Sequence, residues 1–163
     1  MNNAKDYLLQ IRLLDAKLNT VTSNIDKIRQ QLKELGDVDL SSSWPDGQPH
    51  GTITTDPTGS KAVQLATKYQ QKHDDLIRQL EEYEYELIQV RSTLWSKRME
   101  ILDVISQVPD PLCHRLLVLR YVECRKWEWI AVELDKTYQW VAGPLHGRAL
   151  VLVEDILEQN RIT

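Results

Sequence analysis

Apolar residues recur along the first part of the chain in alternating steps of three and four. This spacing is a heptad seam, which predicts a long helix packed against another helix. Its members are Ala4, Tyr7, Ile11, Leu14, Leu18, Val21, Ile25, Ile28, Leu32 and Leu35. We therefore expect a first helix over residues 3–35, which has no interior proline to break it.

A second heptad seam predicts another long helix, over residues 60–107. Its members are Ala62, Ala66, Tyr69, His73, Leu76, Leu80, Tyr83, Leu87, Val90, Leu94, Lys97, Ile101 and Val104. We interpret His73 as a tolerated polar residue that sets the register of the seam, rather than as a ligand or a pH-sensitive element.

The segment between the two seams, residues 36–59, is predicted to be a loop or a disordered link. It holds four of the six glycines and three of the six prolines. The simplest fold is an antiparallel hairpin in which Leu35 lies near Ala62 and Ala4 near Thr93. The rest of the second helix then needs an apolar surface from the C-terminal module or from a second copy. Parallel homodimeric zippers are the alternative.

Val108-Pro109-Asp110-Pro111 marks a boundary between residues 1–108 and residues 109–163. Asp110 is suited to cap a new helix that has Pro111 at its first position. Three helical pieces follow: residues 112–123, residues 126–134, and a helix that Thr137 caps. The last carries a buried stripe of Val141, Leu145, Ala149, Val153 and Ile156. The predicted fold is all-α, a two-helix coiled-coil hairpin followed by a three-helix helix-turn-helix module.

The segment LLVLRYVECRKWEWIAVELDKTYQWVAGPLHGRAL, residues 116–150, resembles region four of bacterial sigma factors. The matching positions are Leu119-Arg120-Tyr121, Glu123, Trp127-Glu128, Ile130-Ala131, Glu133-Leu134, Thr137, Val141 and Leu145-His146, after which Gly147 is one extra residue. With the N-terminal segment AKDYLLQIRLLD, the chain is similar to small phage and prophage regulators of late or packaging genes. The resemblance implies that the segment from Thr137 enters the major groove of double-stranded DNA and that the protein touches host RNA polymerase.

The residue types in this segment suggest separate roles in DNA binding. Gln139 offers the paired donor and acceptor that base reading needs. Thr137, Arg125, Lys126 and Lys136 suit phosphates, whereas Tyr138 and Trp140 suit thymine methyl groups or packing. The candidate DNA-binding residues are Arg125, Lys126, Lys136, Thr137, Tyr138, Gln139, Trp140, Ala142, Gly143, His146 and Arg148.

Gly143-Pro144 lies where a reading helix should run without a break. Proline inside a helix costs about 3 kcal/mol. Ala142, Gly143 and Pro144 also lack the polar side chains that sigma-like modules often carry there. Either a short turn from 137 to 142 precedes the break, or the long helix begins at Pro144. We expect a broken or kinked reading helix.

Charge and composition narrow the classes of function. The net charge is −4, and acidic residues outnumber basic ones in residues 1–58, 59–108 and 109–163 alike. A chain without a basic segment attracts DNA phosphates only weakly, which argues against a protein that binds DNA of any sequence. We expect RNA polymerase or homodimerisation to add affinity.

The sequence has no enzyme motif, and we expect no cofactor, metal site or small-molecule substrate. With no membrane segment or signal peptide, the prediction is a protein of the bacterial host cytoplasm.

A protein-interaction adaptor is the alternative function. Trp127, Trp129 and Trp140 are three of the five tryptophans. Exposed tryptophans often anchor protein interfaces, so the helix-turn-helix can serve as a docking surface instead of a DNA reader. The same tryptophans also suit packing inside the module, because the chain contains no phenylalanine.

Overall fold

The protein is all-helical in a computed structural model that describes residues 3–36 and 57–162. Every regular element in these two ranges is a helix, which confirms the predicted class. Most of the predicted link lies outside the described residues. Its edges are helical, because Gly36 ends the first helix and Pro57 begins the second.

Eight helical segments follow one another in the described residues. The two long helices are α1, Asn3–Gly36, and α2, Pro57–Ser106. The C-terminal module begins with α3, Pro111–Leu117, which continues into a π segment, Val118–Val122. It then contains α4, Trp127–Glu133, and α5, Tyr138–Trp140, followed by a second π segment, Val141–Leu145, and α6, His146–Ile162.

These elements form two compact units. The second unit, residues 20–87, consists of the end of α1 and the first part of α2. Val21, Ile25 and Ile28 are buried on α1, and Leu76 is buried on α2. An ion pair of 3.0 Å between Arg29 Nη2 and Glu84 Oε1 joins the two helices.

The first unit, residues 1–19 and 88–163, contains the main hydrophobic core. The start of α1 and the end of α2 pack there with the C-terminal module. Its fully buried large side chains are Leu8, Ile11, Ile101, Ile105, Cys113, Leu116, Leu117, Leu119, Ile130, Val141 and Val153. Each such burial contributes about 1.5–3 kcal/mol as an upper estimate. The end of α2 is therefore covered by this chain's own module, one of the two surfaces that the sequence allowed.

The predicted register of the helix pair is wrong. The sequence predicts that Ala4 lies opposite Thr93, which would place Tyr7 opposite Val90. The Tyr7 hydroxyl instead donates to Glu100 Oε1 at 2.9 Å, ten residues further along α2. Arg98 of α2 likewise lies 3.8 Å from Asp15 of α1. The pairing remains antiparallel.

The shifted register also changes the start of the second seam. Ala62, Ala66 and His73 are exposed, and Leu76 is the first buried residue of α2 from Gly59 onward. His73 therefore does not occupy a packed seam position, and the role that we gave it in setting the register is wrong. Its Nδ1 lies 3.6 Å from the neighbouring Asp74 carboxylate.

Within residues 3–36 and 57–162, no helix is both long and apolar enough to span a membrane.

Candidate nucleic-acid interface

The C-terminal module begins with the predicted cap. Asp110 Oδ1 accepts hydrogen bonds from the backbone N–H groups of Leu112 and Cys113, at 2.9 and 3.3 Å. These bonds and Pro111 at the first helical position fix the start of α3. The two N–H groups are the first cause of the lowered pKa of Asp110, and the nearby Arg148 also lowers it.

A short turn joins α4 to the next helix. Asp135 has a φ of 52°, in the left-handed region that favours glycine. The N–H of Asp135 donates to the Val132 carbonyl at 3.1 Å, and that of Lys136 donates to the Ala131 carbonyl at 3.0 Å. These bonds close α4, so Thr137 can begin the next helix after only a few residues.

Thr137 caps that helix as predicted. Its Oγ1 accepts a hydrogen bond from the Trp140 N–H at 3.3 Å. The predicted stripe behind the cap is confirmed, because Val141, Leu145, Ala149, Val153 and Ile156 are all buried. The first turn itself is exposed, since none of Tyr138, Gln139 and Trp140 is buried.

We expected a helix that is broken or kinked at Pro144, and the structure shows no break there, although the α-helical hydrogen bonding gives way to a π segment. Helical backbone continues from Tyr138 to Ile162, and residues 141–145 form a π segment around the proline. The N–H of His146 donates to the Val141 carbonyl, five residues back. This wider turn relieves the clash between a proline ring and the preceding turn. Burial of the stripe also outweighs the proline cost of about 3 kcal/mol, because each large apolar side chain contributes about 1.5–3 kcal/mol.

The π segment explains how the helix accommodates the extra residue, Gly147. A π turn holds more residues than an α turn, so it absorbs an insertion without changing the buried face on either side. Val141 and Leu145 before Gly147, and Ala149 and Val153 after it, all face the core. An ideal Cβ at Gly143 or Gly147 would meet no atom within 4 Å, so neither glycine is required by close packing.

The structure brings six of the predicted DNA-binding residues to one exposed edge of the module. We call this edge the reading edge, and it consists of Lys136, Thr137, Tyr138, Gln139, Trp140 and Gly143. Tyr138 is 48% exposed and Trp140 is 37% exposed.

Arg125 and Lys126 lie together just before α4. Both are exposed, and Lys126 is the residue that precedes the first turn of α4. The Arg125 guanidinium lies over the Trp129 ring at 4.6 Å, and its Nε is 3.4 Å from Glu123 Oε2. These contacts hold Arg125 close to the module surface.

Three predicted site residues lie away from the reading edge or are partly covered. His146 is half-buried, and its Nε2 lies 2.8 Å from the Tyr121 hydroxyl. The Trp127 ring contacts His146 edge-on, at 4.9 Å between ring centroids. Ala142 is half-buried, whereas Arg148 is exposed and pairs with Asp110 at 2.9 Å. His146, one of the candidate DNA-binding residues, is therefore packed against Tyr121 and Trp127 and is not part of the reading edge.

Burial lowers the pKa of His146 to about 4, and the charges of Lys5 and Arg120 add to the effect. The imidazole is therefore neutral near pH 7 and carries no charge for a phosphate. Burial likewise raises the pKa of Tyr121 to about 12, so its hydroxyl, which shares a hydrogen bond with His146, stays protonated.

The exposed surface of α4 carries a feature that the sequence analysis missed. Val132 is 81% exposed, although its side chain is apolar. An open groove of about 860 Å³ lies beside it, lined by Ala131, Val132, Asp135, Lys136, Thr137 and Trp140. The helical pattern left Val132 off the buried face, but only the fold shows that a groove adjoins it.

Acidic and basic side chains are mixed on the surface of the module. Among the described residues, no three His, Cys, Asp or Glu side chains come together as metal ligands do. Arg125 and Lys126 before α4 and Lys136 of the reading edge are accompanied by three exposed acidic residues, Glu128, Glu133 and Asp135. Comparison with protein-family models, curated proteins and solved structures finds no match for this chain.

Proposed function

We propose that this chain is a DNA-binding transcription regulator of phage type, which places its C-terminal module on a promoter and acts with host RNA polymerase. One observation carries the proposal. The first turn of the helix capped by Thr137 is exposed, whereas the stripe from Val141 onward is buried. Such a turn, set after a short helix and a tight turn, has the form of the element that enters a major groove.

The reading edge divides into base-reading and phosphate-binding groups. Gln139 is exposed on the first turn and has the amide that pairs with adenine. Lys136 and Thr137 stand at the start of the helix, and Lys126 at the start of α4, where cations and free N–H groups suit phosphates. Tyr138 and Trp140 offer apolar surface to thymine methyl groups.

The module has nearly equal numbers of basic and acidic residues, so a second copy of the chain and RNA polymerase supply additional affinity for DNA. Residues 109–163 carry seven basic and eight acidic residues, so the module attracts phosphates weakly. Ile88, Trp95 and Met99 are exposed on α2 at steps of seven and four, which is the spacing of a helix–helix seam. We propose that a homodimer buries this face, and linked modules then bind more tightly without new contacts.

A promoter-binding assay tests the proposal. Fluorescence anisotropy would follow a labelled promoter duplex and a scrambled duplex, with and without host RNA polymerase. Gln139→Ala should reduce discrimination between the duplexes by about 1–3 kcal/mol. Lys136→Gln should weaken binding to both duplexes about equally and should lower the slope of log K against log salt concentration by about 0.9. Gln89→Ala, an equally exposed change on α2, is the control. Failure to bind either duplex in both conditions would reject the proposal.

A protein-interaction adaptor is the second candidate, and the groove favours it. Val132 and Trp140 line the groove, and Trp129 of the same helix α4 is also exposed. Large apolar side chains around a concave surface suit a protein partner. If the module is an adaptor, Val132→Ser should abolish the activity of the protein while binding to the DNA duplex persists. Reversing the charges of Lys126 and Lys136 should abolish it only if the module binds DNA.

A further inference from the structure

The loop between the first π segment and α4 fixes the backbone of Arg125. Cys124, just before it, has a φ of 55°, in the left-handed region that turns the chain after a helix. The Arg125 N–H donates to the Leu119 carbonyl at 2.9 Å. Arg120 Nη1 donates to the Arg125 carbonyl, also at 2.9 Å. Residues of the π segment therefore hold both backbone polar groups of Arg125.

The Arg125 side chain is held as well. Its guanidinium lies over the Trp129 ring, 4.6 Å from the ring centroid. A guanidinium within about 6 Å of an indole face is attracted by the negative charge of that face. Arg125 Nε also donates to Glu123 Oε2 at 3.4 Å. Because Trp129 belongs to α4 and Glu123 to the loop before it, two separate elements hold this side chain.

The end of the Arg125 guanidinium remains available to a ligand. Within the described part of the chain, its hydrogen bond to Glu123 uses Nε, and Nη1 and Nη2 bond no residue. The side chain is 49% exposed. The two terminal amino groups of a guanidinium match two oxygens of a phosphate. The contacts of Arg125 thus leave free the donors that a phosphate needs.

A second arginine–tryptophan pair lies beside the first but is less exposed. The Arg120 guanidinium lies over the Trp127 ring, at 4.4 Å from the centroid. Arg120 and Trp127 are both half-buried, whereas Arg125 and Trp129 are both exposed. Since Arg120 already donates to the Arg125 carbonyl, the inner pair supports the loop. The outer pair faces solvent, where a ligand can reach it.

The charge near Arg125 suits an anion. Residues 120–129 carry three basic side chains, Arg120, Arg125 and Lys126, against two acidic ones, Glu123 and Glu128. Residues 109–163 as a whole carry seven basic and eight acidic side chains. The start of α4 is therefore a place where the module attracts phosphate in spite of its net charge.

We propose that Trp129 is a positioning residue, which holds the Arg125 guanidinium in place for one phosphate of the DNA backbone. This inference rests on the proposed function. An arginine side chain loses rotamer freedom when it binds a phosphate, and a side chain that is already held loses less. Trp129 therefore raises the affinity for a duplex of any sequence, because a phosphate contact carries no sequence information.

Anisotropy measurements with the full chain and the promoter and scrambled duplexes test this role. Arg125→Gln should weaken binding to both duplexes about fivefold at 0.15 M salt and should lower the slope of log K against log salt concentration by about 0.9. Trp129→Leu should weaken binding to both about two- to fivefold, because leucine keeps apolar bulk but has no aromatic face. Trp129→Tyr should retain most of the affinity, since tyrosine keeps such a face.

A double variant separates positioning from a contact that Trp129 makes by itself. If Trp129 acts through Arg125, Trp129→Leu should cause little further loss of duplex affinity in a chain that already carries Arg125→Gln. An equal loss in both backgrounds would show that Trp129 contacts the duplex independently, and would overturn the inference.

Arg115→Gln is the matched control. Arg115 is an arginine of the module with a side chain that is 50% exposed, and it pairs with a glutamate as Arg125 does, at 3.0 Å from Glu133. This change should leave both duplex affinities nearly unaltered. Thermal unfolding of each variant verifies that it folds.

Nuclear magnetic resonance of the Arg125 side-chain protons gives a readout that needs no DNA. The ring current of Trp129 should shift these protons to lower frequency in the wild type and in Trp129→Tyr, but not in Trp129→Leu. Ordinary positions of these resonances in the wild type would overturn the inference even if Trp129→Leu fails to fold.

The binding data distinguish the failure of this inference from that of the proposed function. Wild-type duplex binding that Trp129→Leu leaves unchanged would overturn the role of Trp129 alone. A wild-type chain that binds neither duplex, with or without RNA polymerase, would reject the proposed function and this role with it.

Discussion

The Tyr121 hydroxyl and His146 Nε2 share a hydrogen bond of 2.8 Å, across 25 residues of the module. This contact joins the first π segment to the start of α6, and Trp127 of α4 packs against the same imidazole. One neutral histidine therefore links all three helical parts of the module. Its place in the packing accounts for its distance from the reading edge.

The first prediction concerns the pH dependence of stability. The pKa of His146 is about 4 in the folded chain and near 6.5 when unfolded. Between these values the unfolded chain binds the extra proton. The stabilisation is therefore complete above about pH 6.5 and is lost as the pH falls towards 4, by at most about 1.4 kcal/mol per pH unit.

Denaturant unfolding of the wild type and of His146→Gln at several pH values measures this effect. The glutamine keeps an acceptor for Tyr121 but has no proton to gain. The free energy of unfolding of the wild type should fall more steeply between pH 6.5 and 4. Parallel curves for the two proteins would show that His146 does not titrate as expected.

The second prediction concerns the left-handed residue in the turn before Thr137. Asp135→Gly should stabilise the module by about 1 kcal/mol, because glycine adopts a φ of 52° without steric cost. Asp135→Asn is the control, since it removes the charge but keeps a side chain on the same backbone. Thermal unfolding should rank glycine above the wild type, with asparagine near the wild type. A lower unfolding temperature for glycine would contradict this account.

The third prediction concerns Gly143 beside the internal proline. A Cβ at this position meets open space, and the backbone there is helical. Gly143→Ala should therefore raise the free energy of unfolding by about 0.5–1 kcal/mol. Circular dichroism during denaturant unfolding measures it. Destabilisation would mean that the π segment requires the freedom of glycine.

The fourth prediction concerns the exposed face of α2. Trp95 is 68% exposed, and a charge in its place should prevent the proposed homodimer without harming the core. Trp95→Lys should sediment as a monomer at concentrations where the wild type forms dimers. Leu13→Lys, at an equally exposed apolar position on α1, should still dimerise. A monomeric wild type, or equal dimerisation of all three, would refute the assigned face.

Local signals explain why much of the module could be predicted. Asp110 and Thr137 cap helices as their side chains suggested, and the stripe from Val141 to Ile156 is buried as its spacing required. Each of these features depends on residues a few positions apart. The exposure of the turn at Gln139 follows from the same spacing, because the buried stripe begins only after it.

The groove beside Val132 could not be predicted in this way. Its lining side chains belong to α4, to the turn after it and to the next helix, and they form a concave surface only in the folded module. The register of α1 against α2 is likewise a property that the heptad pattern does not determine.

The two long helices, the capped module and the buried stripe follow from the sequence alone, because helical period and capping are local properties of the chain. Which turn of α1 meets which turn of α2 depends on the packing of the folded chain, because a repeating seam can slide and still bury apolar residues. Packing also explains why the helix continues through Pro144, since burial of the side chains around it outweighs the local cost of proline. The tertiary structure also places His146 where its Nε2 shares a hydrogen bond with Tyr121 and where burial keeps the imidazole neutral near pH 7.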